Sequence, residues 1–175
     1  MNANWWLPQL ASELSQGDIL SQVIVGSSVS PLISLSKTTI KNSQQAWLPN
    51  SGWKPDNNQY GHYLSKGKMI YALVMSHDCE IDKNSKGSRI LVSAVSPLDV
   101  VSNQEVRQAI LEQRYFASMP LPGVPNIGDC YADLRTMTHL DRNLVDRSKR
   151  VASMTESARI RLQAQLIGFF TRRKL

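Results

Sequence analysis

The densest run of reactive side chains is Ser76-His77-Asp78-Cys79-Glu80, with Asp82 two residues further on. It contains one of three histidines and one of two cysteines. Three chemistries suit these residue types. Histidine is the residue type whose charge changes near neutrality, so His77 fits general acid/base work in a metal-free cleavage of RNA by the ribose 2′-hydroxyl, with Arg135 or Arg89 stabilising the phosphorane-like charge. Cys79 is a candidate nucleophile, activated by His77 or by His139 brought in by folding. Residues two apart on a strand share a face, which would put His77 and Cys79 together, although three nearby carboxylates oppose thiolate formation. The third chemistry is a divalent metal on His77, Cys79 and a carboxylate. The run has no Cys-x-x-Cys or His-x-x-x-His spacing, so the expectation is no metal and no cofactor. The plain alternative is a cysteine buried at a strand end, with Asp78, Glu80 and Asp82 as turn residues beside Lys83 and Lys86. Reactive types gather at sites, which makes His77, Asp78, Cys79 and Glu80 catalytic candidates, with Arg135 as their cation.

The elements around this run must position it. Ile70–Met75 and Ile90–Val95 are apolar and β-branched, and they flank a polar insert ending in Lys-Gly-Ser-Arg, which predicts a buried hairpin with the reactive run at the end of its first strand. Asp129–Met137 alternates and reads as a returning strand, with Tyr131 and Asp133 on one face and Ala132 and Leu134 on the other. Asp133 and Arg135 share a face and pair. Upstream, Leu7, Leu10 and Leu14 have the spacing of a short amphipathic helix packed by Trp5 and Trp6, and Gly17-Asp18 turns the chain into a strand at Ile19–Val25. Residues 26–68 are rich in Ser, Thr, Asn, Gln, Gly and Pro with scattered aromatics, and read as an insertion within a single domain of residues 1–175. Trp47, Trp53, Tyr60 and Tyr63, near Lys54, Lys66 and Lys68, either anchor that insertion or stack bases.

Downstream, Gln104–Gln113 reads as a helix. The prolines of Met119–Pro125 argue against regular structure there, and His139–Arg147 reads as a connection. The last element, residues 153–175, is a helix with a basic tail, capped by Ser153 or Thr155; a Ser153 cap places Glu156 in a capping box. Arg172 and Arg173 complement its dipole and are candidate nucleic-acid contacts.

The 175 residues are 42% hydrophobic and carry a formal net charge of +6, with an isoelectric point near 9.5. That excess favours an anionic partner, RNA or an acidic protein. No apolar run approaches the roughly 20 residues that span a bilayer. The first residues lack a signal-peptide pattern, and two cysteines suit a reducing cytoplasm. Strand, insertion, hairpin, helix, strand and terminal helix together predict an α+β fold with a small closed barrel.

That order, with its phrases, resembles the MazF/PemK family of toxin endoribonucleases, an SH3-like β-barrel related to CcdB. Gly17-Asp18-Ile19 matches the family's opening strand. Tyr71–Ser76 resembles its "Pro-Val-Leu-Val-Val-Ser" strand, and Ile90–Ser96 its "Val-Leu-Val-Ala-Pro-Val-Thr" strand. Thr136–Asn143 echoes "Gln-Ile-Arg-Thr-Val-Asp-Lys-Ser", and Ala152–Thr155 with Arg159–Phe170 echoes its final turn and helix. The likeness covers about two thirds of the chain. It implies an RNA-directed, toxin-like or defence-associated protein, a homodimer and an antitoxin-like protein partner, or else a non-catalytic binding module on the same barrel. The family's catalytic Arg falls on Ile70 or its neighbours here, with Lys68 the nearest cation, and its Thr falls on Ser96, which keeps a hydroxyl and joins the catalytic candidates. Lys68, Arg89, Arg172 and Arg173 are the candidate RNA contacts.

Overall fold

A computed structural model describes residues 4–26, 33–40, 44–49, 62–64, 67–81 and 89–172. The chain divides into two compact units, one formed by residues 1–23 and 69–175 and the other by Ile24–Lys68. In the second unit, β2 (Ile33–Ile40) pairs antiparallel with both β3 (Gln44–Pro49) and β4 (His62–Leu64), giving a three-stranded sheet where the composition suggested only a polar insertion. Trp53 and Tyr60 lie outside the described residues.

The larger unit is mixed α/β, with a curled antiparallel half-barrel sheet and a C-terminal helix. Its centre is the expected hairpin: β5 (Gly67–Val74) pairs antiparallel with β6 (Arg89–Pro97), Tyr71 facing Val95 and Val74 facing Val92. On the other side of β6 lie two strands in succession. β9 (Thr138–Asp141) pairs with Arg89–Val92, and β8 (Gly128–Asp133) pairs with Val95–Pro97. The full order is β10 (Lys149–Ala152), β1 (Ile19–Gly26), β5, β6, β8 and β7 (Ser118–Val124). The core gathers Leu73, Met75, Val95, Met119, Leu121, Cys130 and Ala132 from the strands, closed by Trp6 and by Ala158 and Leu162 of the terminal helix α4 (Glu156–Thr171). Among the described residues, no helix is long and apolar enough to cross a membrane.

Several expectations are corrected. The proline-bearing stretch is a strand, β7, because it is the last strand of the sheet and needs hydrogen bonds on one side only, which is where prolines are tolerated. The segment holding Leu7, Leu10 and Leu14 is not helical. Its backbone is used elsewhere: Leu7 N donates to Ser153 O (2.9 Å), Ala11 N to Ser153 Oγ (3.2 Å), and Trp6 bridges to Met154. Leu7 and Leu10 are exposed, so the leucine spacing does not mark a buried face. The returning strand stops at Asp133, whose side chain accepts from Arg135 N and starts a 3-10 turn over Leu134–Thr136. The supposed connection is β9 followed by a short helix, α3 (Arg142–Arg147). The cap of α4 is Thr155, which accepts from Ala158 N, and not Ser153, which is buried against the N-terminal segment.

The Gly17-Asp18 turn has a specific cause. Gly17 has φ of +88°, and a Cβ there would lie 2.8 Å from Met154 Sδ and 3.0 Å from its Cβ. A side chain would meet both backbone strain and a clash.

Candidate functional site

The reactive run sits where β5 leaves the sheet. Met75 N and Ser76 N both donate to Leu91 O (2.8 and 3.2 Å), and Ser76 Oγ accepts from Leu91 N (2.8 Å), so Ser76 extends the ladder through its side chain. The chain then enters a one-turn helix, α1 (Asp78–Ile81), anchored by buried Ile81 and closed by Arg142 Nη1 donating to Ile81 O (2.7 Å). The expected strand-face pairing of His77 and Cys79 does not arise, because the strand has ended. Instead His77 Nδ1 accepts from Cys79 N at 3.4 Å, and both side chains are exposed. Glu80 is also exposed. Asp82 lies outside the described residues.

Asp78, partly exposed, joins a network built from distant parts of the sequence. Its Oδ1 accepts from Gln16 N (2.7 Å) and its Oδ2 from Arg159 Nη1 of α4 (3.3 Å). Gln16, buried, donates from Nε2 to Met75 O (2.8 Å) and accepts from Gln163 Nε2 (2.9 Å). One carboxylate thus ties the N-terminal segment, the end of β5 and the terminal helix together. Gln16, Arg159 and Gln163 carry no sequence signal for this, since their partners are far along the chain.

A second grouping forms around Arg135. Its guanidinium grips Asp133 with two bonds, Nε to Oδ1 (2.9 Å) and Nη2 to Oδ2 (2.8 Å). That contact holds the Asp133 carboxyl below the usual range and the Arg135 guanidinium above its own; the phenols of Tyr115 and Tyr131 lie close enough to add to the latter. Asp133 O accepts from Ser93 Oγ and Thr136 Oγ1 (both 2.7 Å), which fixes the turn carrying Arg135. Ser96 on β6 stands opposite Tyr131 on β8, and opposed residues share a face. Ser96, Tyr131, Asp133, Arg135 and Tyr115 therefore form one neighbourhood. Tyr115 was not marked in the sequence. The alternation Tyr131-x-Asp133 carries a signal for Tyr131, since both stand on one face of β8.

No family model matches this chain, and no curated protein matches it. Ser96 lies five residues along β6 from Leu91, the residue bonded to Ser76, a separation of about 17 Å along the strand. Of the catalytic candidates, His77 to Glu80 follow Ser76 at the Leu91 level of β6 and Ser96 stands towards its other end, while the turn carrying Arg135 is bonded to Ser93 and Ala94 between them. His139 stands opposite Leu91 on β9, across β6 from Ser76, and is exposed. Arg89 faces Asp141 in the register and is exposed, as are Lys68 and Arg172. Arg173 lies outside the described residues. Among the described residues, no three His, Cys, Asp or Glu side chains are grouped to hold a metal ion.

The second grouping combines aromatic rings with a guanidinium. Aromatic faces stack bases without regard to sequence, and a guanidinium with two donors fixed on Asp133 still has others for a phosphate. The first grouping offers an imidazole whose Nδ1 is an acceptor, which in the neutral ring places the proton on Nε2.

Proposed function

We propose that this chain is an RNA-directed protein on an SH3-like barrel of the MazF/PemK type, and that it binds single-stranded RNA through Tyr115, Tyr131 and Arg135. The observation that carries this reading is the arginine gripped by Asp133, which shares a strand face with Tyr131, with the Tyr115 and Tyr131 phenols within electrostatic reach of the guanidinium. The curled antiparallel sheet with its C-terminal helix and the net charge of +6 are consistent with it. Binding is favoured over cleavage because Ser96 stands about 17 Å along β6 from Leu91, the residue bonded to Ser76 next to the histidine that would move the proton. Cleavage is the second reading, on the strength of the exposed His77 just beyond the end of β5.

One comparison tests both. A labelled single-stranded RNA and its duplex are titrated with the wild type, Tyr131→Ala and Arg135→Ala by fluorescence anisotropy. Tighter binding of the single strand, weakened about tenfold or more by Tyr131→Ala, matches the roughly 1–3 kcal/mol that stacking on an aromatic supplies. Equal binding of strand and duplex, indifferent to both variants, rejects the reading. Incubation of a long RNA with EDTA, with the wild type and His77→Ala, reports on cleavage.

A further inference from the structure

Beyond Ser96, β6 runs into a short 3-10 turn at Leu98–Val100, and α2 (Gln104–Leu111, capped by Asn103) follows. Between this turn, α2 and the start of β8 lies a cavity of about 280 Å³, lined by Leu98, Leu111 and Ile127 with Asp99, Asp129 and Arg107. The volume falls just below the roughly 300–1,000 Å³ of small-molecule pockets, enough for one base and too little for a dinucleotide.

Its polar groups are unevenly committed. Arg107 Nη2 donates to Val101 O (2.8 Å) and Asp99 O (3.2 Å), which pins the guanidinium against the turn, while its buried Nε has no acceptor among the described residues. Asp129 spends Oδ1 on Gly123 N (2.8 Å). The Asp99 side chain is exposed, and no described donor bonds its carboxylate. Both carboxylates lie near the buried Cys130 thiol, which burial first and these charges next push up to about 11. Two carboxylates against one guanidinium repel phosphate. The fitting ligand is neutral and planar, with adjacent N–H donors for a carboxylate and an acceptor for the guanidinium.

Asp129 and Tyr131 are two residues apart on β8, so they share a face about 7 Å apart. The cavity therefore adjoins the proposed RNA surface. We infer that it is a base-specificity pocket for guanine, with Asp99 accepting from N1–H and the 2-amino group and Arg107 Nη1, the guanidinium nitrogen neither buried nor pinned to the turn, donating to O6. Adenine, cytosine and uracil do not present two adjacent N–H groups beside an acceptor on their pairing edge, whereas guanine does. This inference rests on the RNA reading for its biological sense but is measurable without it.

The test titrates the full chain with guanosine, inosine (which lacks the 2-amino group) and adenosine, followed by amide shifts in two-dimensional NMR. Guanosine is expected to shift signals of residues 98–111 and to bind about tenfold or more tighter than inosine, as a bidentate pair discriminates. Asp99→Asn, at an exposed position, is expected to remove that ratio. Equal affinity for guanosine and inosine, or no binding of either, overturns the pocket whatever RNA does. In parallel, oligouridines with one central guanosine or inosine are compared by anisotropy. RNA bound without a guanosine preference also overturns the pocket and leaves the RNA surface standing. Selective guanosine binding with no binding of any RNA upholds the pocket and rejects the surface.

Discussion

Arg135 and Asp133, two residues apart, are joined by two parallel hydrogen bonds of 2.9 and 2.8 Å at the end of β8, with the arginine side chain 59% exposed. The pair is rigid because Asp133 also caps the 3-10 turn and receives Arg135 N (3.0 Å). An exposed pair adds little to stability, about 0–1 kcal/mol, so its value lies in holding a guanidinium ready. Arg135→Ala is expected to leave the melting midpoint nearly unchanged. It should weaken RNA binding uniformly across sequences and reduce the slope of log K against log salt by about 0.7, the loss of one single-strand phosphate contact. Arg135→Lys should restore the slope but only part of the affinity, because an ammonium cannot reproduce the fork. Anisotropy titrations between about 50 and 200 mM salt measure both quantities. An unchanged slope in Arg135→Ala would remove Arg135 from the interface.

Asp78 and His77 are neighbours in sequence with opposite duties. Asp78 receives Gln16 N and Arg159 Nη1, while the exposed His77 ring takes a 3.4 Å contact from Cys79 N. Asp78→Ala leaves Gln16 N without its acceptor and Arg159 with Glu156 alone, a loss of about 1 kcal/mol for this partly exposed network. His77→Ala is expected to stay within about 0.5 kcal/mol of the wild type. Urea melts of the two variants decide the point. Equal stabilities would mean that the network around Asp78 does not hold the terminal helix in solution.

Where periodicity and local caps decide structure, the sequence was readable. The hairpin of β5 and β6 shows in two β-branched runs, α2 in its spacing, and α4 in a broad apolar stretch after a Thr cap. What was not readable depends on contacts across the chain. Pro120 and Pro122 forbid a central strand, yet β7 is terminal in the sheet, a fact no local pattern contains. The leucines at 7, 10 and 14 have helical spacing, but the backbone there bonds to Ser153, more than 140 residues away. The candidate site divides in the same way. Its residue types were visible at His77–Glu80, whereas the bridging duty of Asp78 depends on Gln16 and Arg159, 62 and 81 residues distant. The Tyr131–Arg135 grouping was half visible, since strand alternation places 131 and 133 together but cannot bring Tyr115 to them.

The two cysteines should react at very different rates. Cys79 is exposed on α1, and Cys130 is buried, with its thiol pushed up to about 11 by burial and by Asp129 and Asp99. The thiolate is the reactive form, so at neutral pH Cys130 has both access and ionisation against it. Native protein treated with iodoacetamide is expected to gain one adduct quickly, at Cys79, and a second only after denaturation. Peptide mass spectrometry locates the adducts. Prompt modification of Cys130 in the native state would show that the β8 core opens readily.

Asp18 and Asp133 are expected to give opposite pH signatures. Asp18 is 1% exposed, and burial raises its pKa above the ordinary 3.8 despite help from Ser15 N, Ser153 and Arg150. The folded protein therefore holds this proton to higher pH than the unfolded chain does. The stability Asp18 contributes is complete below 3.8 and falls as pH rises through its folded value. Asp133 is depressed by Arg135, so its contribution is present above 3.8 and lost as pH drops through its lowered value. Asp18→Asn keeps an acceptor for Ser15 N and cannot ionise. Its melting midpoint should decline less than that of the wild type as pH rises from about 3.5 to 7. For Asp133→Asn the difference from wild type should instead shrink as pH falls. Melts of the three proteins across this range, extended down to about pH 2 for Asp133→Asn and wild type, provide the comparison, and parallel curves for Asp18→Asn and wild type would mean that Asp18 keeps its ordinary titration inside the fold.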